Sequence, residues 1–250
     1  MKRFLYLDNW HEPQPETRFD RYLKDSGLDV EVFRTNQDAF PQHTAYGGAY
    51  LSPSFDGAYD DLAWINRLHD LLPRLAAAKV PMIGQCFGCQ VLASALVGRE
   101  TVFKRDNHEG GRGTIFLTAA GANDPLTRAL TGGIGTSFDV YHWHGDEVKA
   151  DNSDIIVLAD GPGCGNHLWR WSKGPVWGIQ PHPEMNAADL QVWLAQNRDR
   201  FERKGHDVDN YVSQCFSADT AFEMMTRFVA LVKSGNVTAE TFVPQKSYSK

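Results

Sequence analysis

Cys86 stands in Gly84-Gln85-Cys86-Phe87-Gly88-Cys89-Gln90, between a short apolar run (Val80, Met82, Ile83) and a longer one, Val91-Leu92-Ala93-Ser94-Ala95-Leu96. The first run, bounded by Pro81 and Gly84, reads as a buried strand and the second as a helix. A thiol at such a junction lies at a helix N-terminus, where unpaired N–H groups and the positive end of the dipole favour a thiolate. The glycines leave backbone room for a tight strand-turn-helix bend. This pattern makes a nucleophile.

A nucleophilic cysteine needs a base, and the base an orienting group. Gly178-Ile179-Gln180-Pro181-His182-Pro183-Glu184 offers both just after another strand-like run. In an extended segment, side chains two apart share a side, so Glu184 can hold the His182 imidazole while the ring faces the thiol. The chain has nine histidines, and most histidines in any chain are surface or structural groups. The flanking prolines and Glu184 single out His182.

Cys86 and Cys89 also form a C-x-x-C. Zinc would need a second ligand pair at comparable spacing, and neither Cys164 nor Cys215 has a close cysteine partner. A thioredoxin-like dithiol usually has no glycine immediately before its second cysteine. Cys89 is explained by packing inside the helix. His142 and His144 look like a metal pair, but alternation on a strand followed by a turn explains them equally well, and no metal or other cofactor is expected.

The elements that would position these groups alternate. Phe4 to Leu7, Val30 to Phe33 and Tyr46 to Leu51 read as strands, with a short polar helix containing Phe19, Tyr22 and Leu23 between the first two. Asp60 to Ala78 is an amphipathic helix with Leu62, Ile65, Leu68, Leu72 and Leu75 near helical spacing. The alternation predicts an α/β fold of three layers, a mostly parallel twisted sheet with helices on both faces. Ligands bind such sheets at the carboxyl ends of the strands, where the Cys86 bend would lie. The second half turns β-rich: Thr101 to Lys104, Thr114 to Leu117, Ile155 to Leu158, His167 to Trp171 and Val176 to Gln180 read as strands that extend the sheet. Leu190 to Phe201 and Ala221 to Lys233 read as helices, and the chain from Thr241 onward as a surface tail.

The chain has 250 residues and 42% hydrophobic content, enough for one large core, so residues 1–250 are expected to form a single domain with a helical extension from about residue 186. A net charge of -6 with scattered Lys and Arg argues against nucleic acid as partner. The apolar run after Met1-Lys2-Arg3 is too short for a signal peptide, and no stretch reaches membrane-spanning length. A cytoplasmic protein with free thiols and no membrane partner is expected.

The two motifs carry a resemblance. GQCFGCQ resembles the G-x-C-x-G-x-Q nucleophile motif of class I glutamine amidotransferases, the triad-type glutaminases, and QPHPE their H-P-E signature. The similarity runs from the first strand to about Glu184. It implies that family's flavodoxin-like fold, a triad of Cys86, His182 and Glu184, and cleavage of a γ-glutamyl amide through a cysteine thioester with release of glutamate and ammonia or an amine. It further implies an oxyanion hole with the Phe87 amide as one donor. Gly48, in Gly47-Gly48, competes for the second donor with Ser54, in the loop Ser52-Pro53-Ser54, although Pro53 stands where the family usually has glycine. Gln90 would help hold the substrate, glutamine or another small γ-glutamyl compound. His144-Gly145-Asp146-Glu147-Val148 resembles the family's H-x-D-x-V segment. Tyr59-Asp60-Asp61 with Trp64-Ile65 resembles the stand-alone γ-glutamyl peptidase branch, and the chain as a whole is similar to a stand-alone member of the branch that holds these peptidases and the glutaminase of guanosine monophosphate synthetase. Two other roles remain open: a glutaminase subunit feeding ammonia to a separate synthetase, and an inactive binding or regulatory module.

Overall fold

The computed structural model describes residues 2–37, 40–130 and 136–235. The tail expected from Thr241 onward lies outside the described residues. In chain order the strands are β1 (Phe4–Asp8), β2 (Val30–Arg34), β3 (Gly48–Leu51), β4 (Met82–Gln85), β5 (Val102–Leu117), β6 (Ser137–Val148), β7 (Ile155–Asp160), β8 (Leu168–Trp171) and β9 (Val176–Ile179). They form one sheet in the order β2-β1-β3-β4-β9-β8-β7-β5-β6. From β2 to β9 the neighbours are parallel; from β9 to β6 they are antiparallel. The expected α/β sheet is therefore a mixed one, its parallel half continued by the β-rich second half of the chain.

Strands β3, β4 and β9 are buried at every residue, as a sheet covered on both faces requires. Alternate side chains feed two cores. Leu5, Leu7, Ala49, Leu51 and Met82 pack under α2 (Ala63–Ala77) and α3 (Phe87–Leu96). Phe4, Tyr50 and Ile83 pack under α1 (Arg18–Asp25) and α7 (Asp219–Ser234), against Phe19, Leu23, Met225 and Phe228. Burying this apolar surface on both faces is the main stabilising term, roughly 25 cal/mol per Å² removed from water.

Two expectations need correction. The runs at 101–104 and 114–117 are parts of one strand, β5, because β6 pairs along its polar, glycine-containing middle. Periodicity is silent there, since residues 103–109 of β5 carry exposed or half-exposed side chains. The helix expected over Leu190 to Phe201 is two: α4 (Ala187–Gln196) and α5 (Arg198–Glu202). Asn197 separates them, its side-chain amide donating to the Trp193 carbonyl at 2.9 Å, the local competition with the backbone that suits Asn to helix ends. A short α6 (Val208–Ser213) follows. Among the described residues, no helix is long and apolar enough to cross a membrane.

The segment after β9 is fixed by Asp189. Its carboxylate accepts from the backbone N–H of Arg18 at 2.7 Å and from the Arg21 guanidinium at 2.8 Å, and forms a capping box with Asn186 at the start of α4. Residue 184 is tied to the same place, the Phe19 N–H donating to the Glu184 carbonyl at 3.1 Å. Asp189→Ala removes a cap and leaves two donors without their acceptor, so urea unfolding is expected to give a stability lower by about 2 kcal/mol. An unchanged midpoint and slope would show that α1 and α4 do not depend on this carboxylate.

Candidate active site

The backbone at Cys86 is bent into a region that side chains rarely adopt, with φ 50° and ψ -111° at the N-cap of α3. Such a conformation costs about 1–3 kcal/mol and persists only where its surroundings hold it. The Cys86 N–H donates to the Ile179 carbonyl of β9 at 2.8 Å, and the Cys86 carbonyl accepts from the Gln90 N–H at 3.0 Å. The glycines of the motif permit the approach of helix to sheet. A Cβ on Gly84 would meet the Gly88 carbonyl oxygen at 2.2 Å, and one on Gly88 the Leu51 carbonyl oxygen at 2.3 Å. The bend thus seats α3 directly on the ends of β3 and β4 and projects the Cys86 thiol at the sheet's carboxyl edge.

β9 brings the second group. Its last residue, Ile179, leads through Gln180 to His182, whose backbone N–H donates to the Tyr141 carbonyl of β6 at 2.9 Å. His182 Nδ1 donates to Glu184 Oε1 at 2.9 Å, which leaves Nε2 facing the thiol side. There the Trp143 carbonyl of β6 lies 3.4 Å from Nε2 and 3.8 Å from Cys86 Sγ. Burial opposes charge on His182, but the Glu184 carboxylate and the Cys86 side chain outweigh it and hold the imidazole protonated, with a pKa raised to about 10. The structure therefore brings Cys86, His182 and Glu184 together as their spacing implied.

The sequence reading missed the support beneath Glu184. Gln85, fully buried at the end of β4, donates through Nε2 to Glu184 Oε2 and accepts at Oε1 from the Tyr50 hydroxyl at 2.8 Å. The second carboxylate oxygen is thereby occupied, fixing the plane that His182 needs. A buried polar residue at the last position of an apolar strand, next to a candidate nucleophile, was the available signal.

Cys89 points elsewhere. It is fully buried, accepts the Trp169 indole N–H at 3.0 Å, and burial pushes its thiol well above the ordinary range. All four cysteines are free. Cys86 thus faces the cavity while Cys89 is turned into the core.

A cavity of about 440 Å³ opens over Cys86, lined also by Ser54, Gln90, His144 and Asp146. Phe87 opens α3 directly after the nucleophile, where helix N–H groups lack intrahelical partners. The Ser52 to Ser54 loop is pinned by Asn9, whose N–H donates to Ser52 Oγ at 2.8 Å and whose side chain donates to the Ser52 carbonyl at 2.7 Å. Gly48 is not brought to the cavity: it starts β3, at the far end of the strand, and a Cβ there would meet Val232 of α7 at 2.6 Å. Gln90 donates to the Asp146 carbonyl at 3.2 Å and to Gln180 Oε1 at 3.1 Å. Asp146 in turn accepts from the Tyr59 hydroxyl at 3.0 Å. Phe201, Lys204 and His206, from α5 and the turn after it, form part of the cavity wall, a contribution with no motif to announce it.

A family model described as glutamine amidotransferase class-I matches residues 14–197. A Saccharomyces cerevisiae protein named as a glutamine amidotransferase is 28% identical over 203 residues, 73% of this chain and 76% of its own length. A Pseudomonas gamma-glutamyl-L-1-hydroxyisopropylamide hydrolase is 26% identical over 224 residues, 84% of this chain and 73% of that one. The crystal structure of a Thermotoga maritima glutamine amidotransferase superposes with a TM-score of 0.75 over 92% of this chain and 97% of that one, at 16% identity, a likeness of fold.

The raised His182 value carries a sign. The folded chain holds this proton more tightly than the unfolded chain, whose histidine titrates near 6.5, so the stabilisation is complete below that pH and is lost as pH rises toward about 10. Unfolding free energy is expected to fall across this window, and Glu184→Gln to flatten the slope. A slope equal in both proteins would mean that Glu184 does not hold the His182 proton.

Proposed function

The chain belongs to the glutamine amidotransferase class I family, and from that premise we propose that it hydrolyses a γ-glutamyl amide through a Cys86 thioester. The reading rests on one observation above the others: the thiol on its strained bend shares a cavity with Ser54 and Gln90, and stands with an imidazole that a buried carboxylate keeps protonated.

Cys86 Sγ, its proton held by His182, attacks the side-chain carbonyl carbon of the γ-glutamyl group as the C=O π bond opens onto the oxygen. The resulting oxyanion is held by the N–H of Phe87 and of Ser54; one such donor is worth roughly 3–4 kcal/mol of barrier. His182 gives its Nε2 proton to the departing nitrogen, the C–N bond breaks, and ammonia or an amine leaves. A water then gives a proton to His182 and attacks the thioester, the C–S bond breaks, and glutamate departs with the thiol restored. Glu184, Gln85 and Tyr50 keep Nε2 aimed at the reacting atoms throughout. At the wall, Asp146 and Lys104 offer the charges that an amino-acid head group needs.

The cavity falls within the range of small-molecule sites, roughly 300–1,000 Å³, and Phe201, Lys204 and His206 widen its wall with residues beyond the matched span of 14–197. A leaving group larger than ammonia suits this arrangement, and a stand-alone γ-glutamyl hydrolase follows. The named hydrolase from Pseudomonas supports the same class of bond.

Released glutamate is the readout. The purified chain is expected to liberate it from γ-glutamyl amides or dipeptides faster than from glutamine. Cys86→Ser should lower the rate by at least about a thousandfold, while Cys89→Ser keeps most of it. No glutamate from any of these substrates would sink the proposal, and turnover of glutamine only in the presence of another protein would replace it with a glutaminase subunit. Separately, Lys204→Ala with His206→Ala is expected to raise KM for γ-glutamyl dipeptides and leave that for glutamine unchanged; equal effects on both would remove these residues from leaving-group recognition.

A further inference from the structure

At the wall of the cavity, which His144 lines, three strands converge on a group of side chains that the proposed reaction does not use. His142 and His144, two apart on β6, share a face; Glu109 of β5 is the cross-strand partner of His144; and His167 directly precedes β8. The register of β5 against β6 shifts between Lys104 and Glu109, and such a bulge re-aims the side chains beside it. One ligand atom from each of the four residues lies within 4.8 Å of all the others. The His142, His144 and His167 side chains are 3%, 0% and 1% exposed. Space is reserved for two of the rings: a Cβ on Gly113 would meet His142 Nε2 at 2.6 Å, and one on Gly161 would meet His167 Nε2 at 2.9 Å.

Hydrogen bonding around the cluster is incomplete in an informative way. His144 Nδ1 lies 3.0 Å from the Asp146 carbonyl, which can only accept, so Nδ1 carries a proton and Nε2 is the atom turned to the cluster. It faces Glu109 Oε2 at 3.0 Å. Among the described residues neither atom has an aligned hydrogen bond, and His142 Nδ1 and His167 Nδ1 are also buried without a partner. A buried ring nitrogen and a carboxylate oxygen left without aligned hydrogen bonds are satisfied by a cation between them, and a carbonyl on the far ring nitrogen is the usual way a ligating histidine is oriented. The guanidinium of Arg105 does not fill this role, being 3.8 Å from Glu109 Oε2 and engaged by Glu147 at 2.6 Å.

We propose that Glu109, His142, His144 and His167 bind one divalent transition-metal ion, with zinc the best match to the donor set. Three imidazoles and a carboxylate are borderline donors that suit zinc, cobalt or nickel, whereas calcium and magnesium take oxygen ligands. Tetrahedral zinc holds its ligand atoms roughly 3.4 Å apart, as bonds of about 2.0–2.1 Å require; Glu109 Oε2 stands 3.0 Å from His144 Nε2, and Oε1 3.8 and 4.0 Å from His142 Nε2 and His167 Nε2. With all four positions taken by protein, the site is structural: it fastens β5, β6 and the start of β8 together. His142 and His144 flank Trp143, whose carbonyl faces both Cys86 and His182, so the ion would steady the wall opposite the nucleophile.

The sequence offered only the His142 and His144 pair; the fold supplies His167 and Glu109. The test uses the full chain with Cys86→Ser, which removes the cavity-facing thiol as a rival ligand. Metal analysis is expected to find about one equivalent of zinc. After chelation, cobalt(II) should restore the visible bands of a tetrahedral site, and zinc should raise the melting temperature by roughly 5–10 °C. His142→Ala with His167→Ala should abolish both responses, and Glu109→Gln should weaken them. The proposal is overturned if Cys86→Ser neither retains nor takes up metal, or if the double histidine variant binds as well as its parent. The chelated parent carries the thermal test by itself, so the outcome stands even where a variant fails to fold.

Discussion

The strained backbone of Cys86 is the constraint on which the rest depends. A positive φ at a cysteine is unfavourable wherever the chain could relax, and here relaxation is blocked from three sides: the β9 carbonyl of Ile179 takes the Cys86 N–H, the helix carbonyl of Gly88 sits against Gly84, and the Leu51 carbonyl sits against Gly88. Each contact is between backbones, so none can be eased by a side-chain rotation. The stability of the two flanking cores is spent on holding one residue in place, and the helix that follows begins with its free N–H groups around the same sulfur.

The charge arrangement behind the thiol follows from that placement. An imidazole kept protonated in a dry site needs an anion that cannot turn away, and Glu184 is prevented from turning by Gln85, which Tyr50 holds in turn. This is a polar network passing through the middle of an apolar sheet, costly if any member is unpaired and specific when all are paired. It links β3, β4 and the segment after β9, the same three pieces of chain that build the bend.

What the sequence disclosed and what it withheld divide along physical lines. Cys86, His182 and Glu184 were legible because each half leaves a local mark: a bend with its own glycines, and a histidine two residues before a carboxylate, although Pro183 and Glu184 form a turn and not the extended segment expected. The alternation of strands and helices gave the parallel half of the sheet for the same reason. Tyr50 and Gln85 were hidden because their contact arises from the side-by-side alignment of β3 and β4, where Tyr50 is opposite Ile83 and Gln85 lies two residues on, on the same face. The full length of β5 was hidden because the middle of an exposed ribbon shows no hydrophobic period. Gly48 and Ser54 could not be ranked without knowing which end of β3 faces the bend. Glu109 and His167 join His142 and His144 only through a register shift and a turn, neither of which leaves a mark on composition.

The position of β9 has a consequence for how the molecule comes into being. The last strand to be made is inserted between β4 and β8, and the groups it delivers pair with Gln85 from 97 and 99 residues away. Contacts so distant in the chain form late in folding, after the entropy of closing a long loop has been met. Until then Cys86 lacks the His182 imidazole beside it and the carbonyl that holds its bend. Assembly of the candidate site therefore coincides with completion of the sheet.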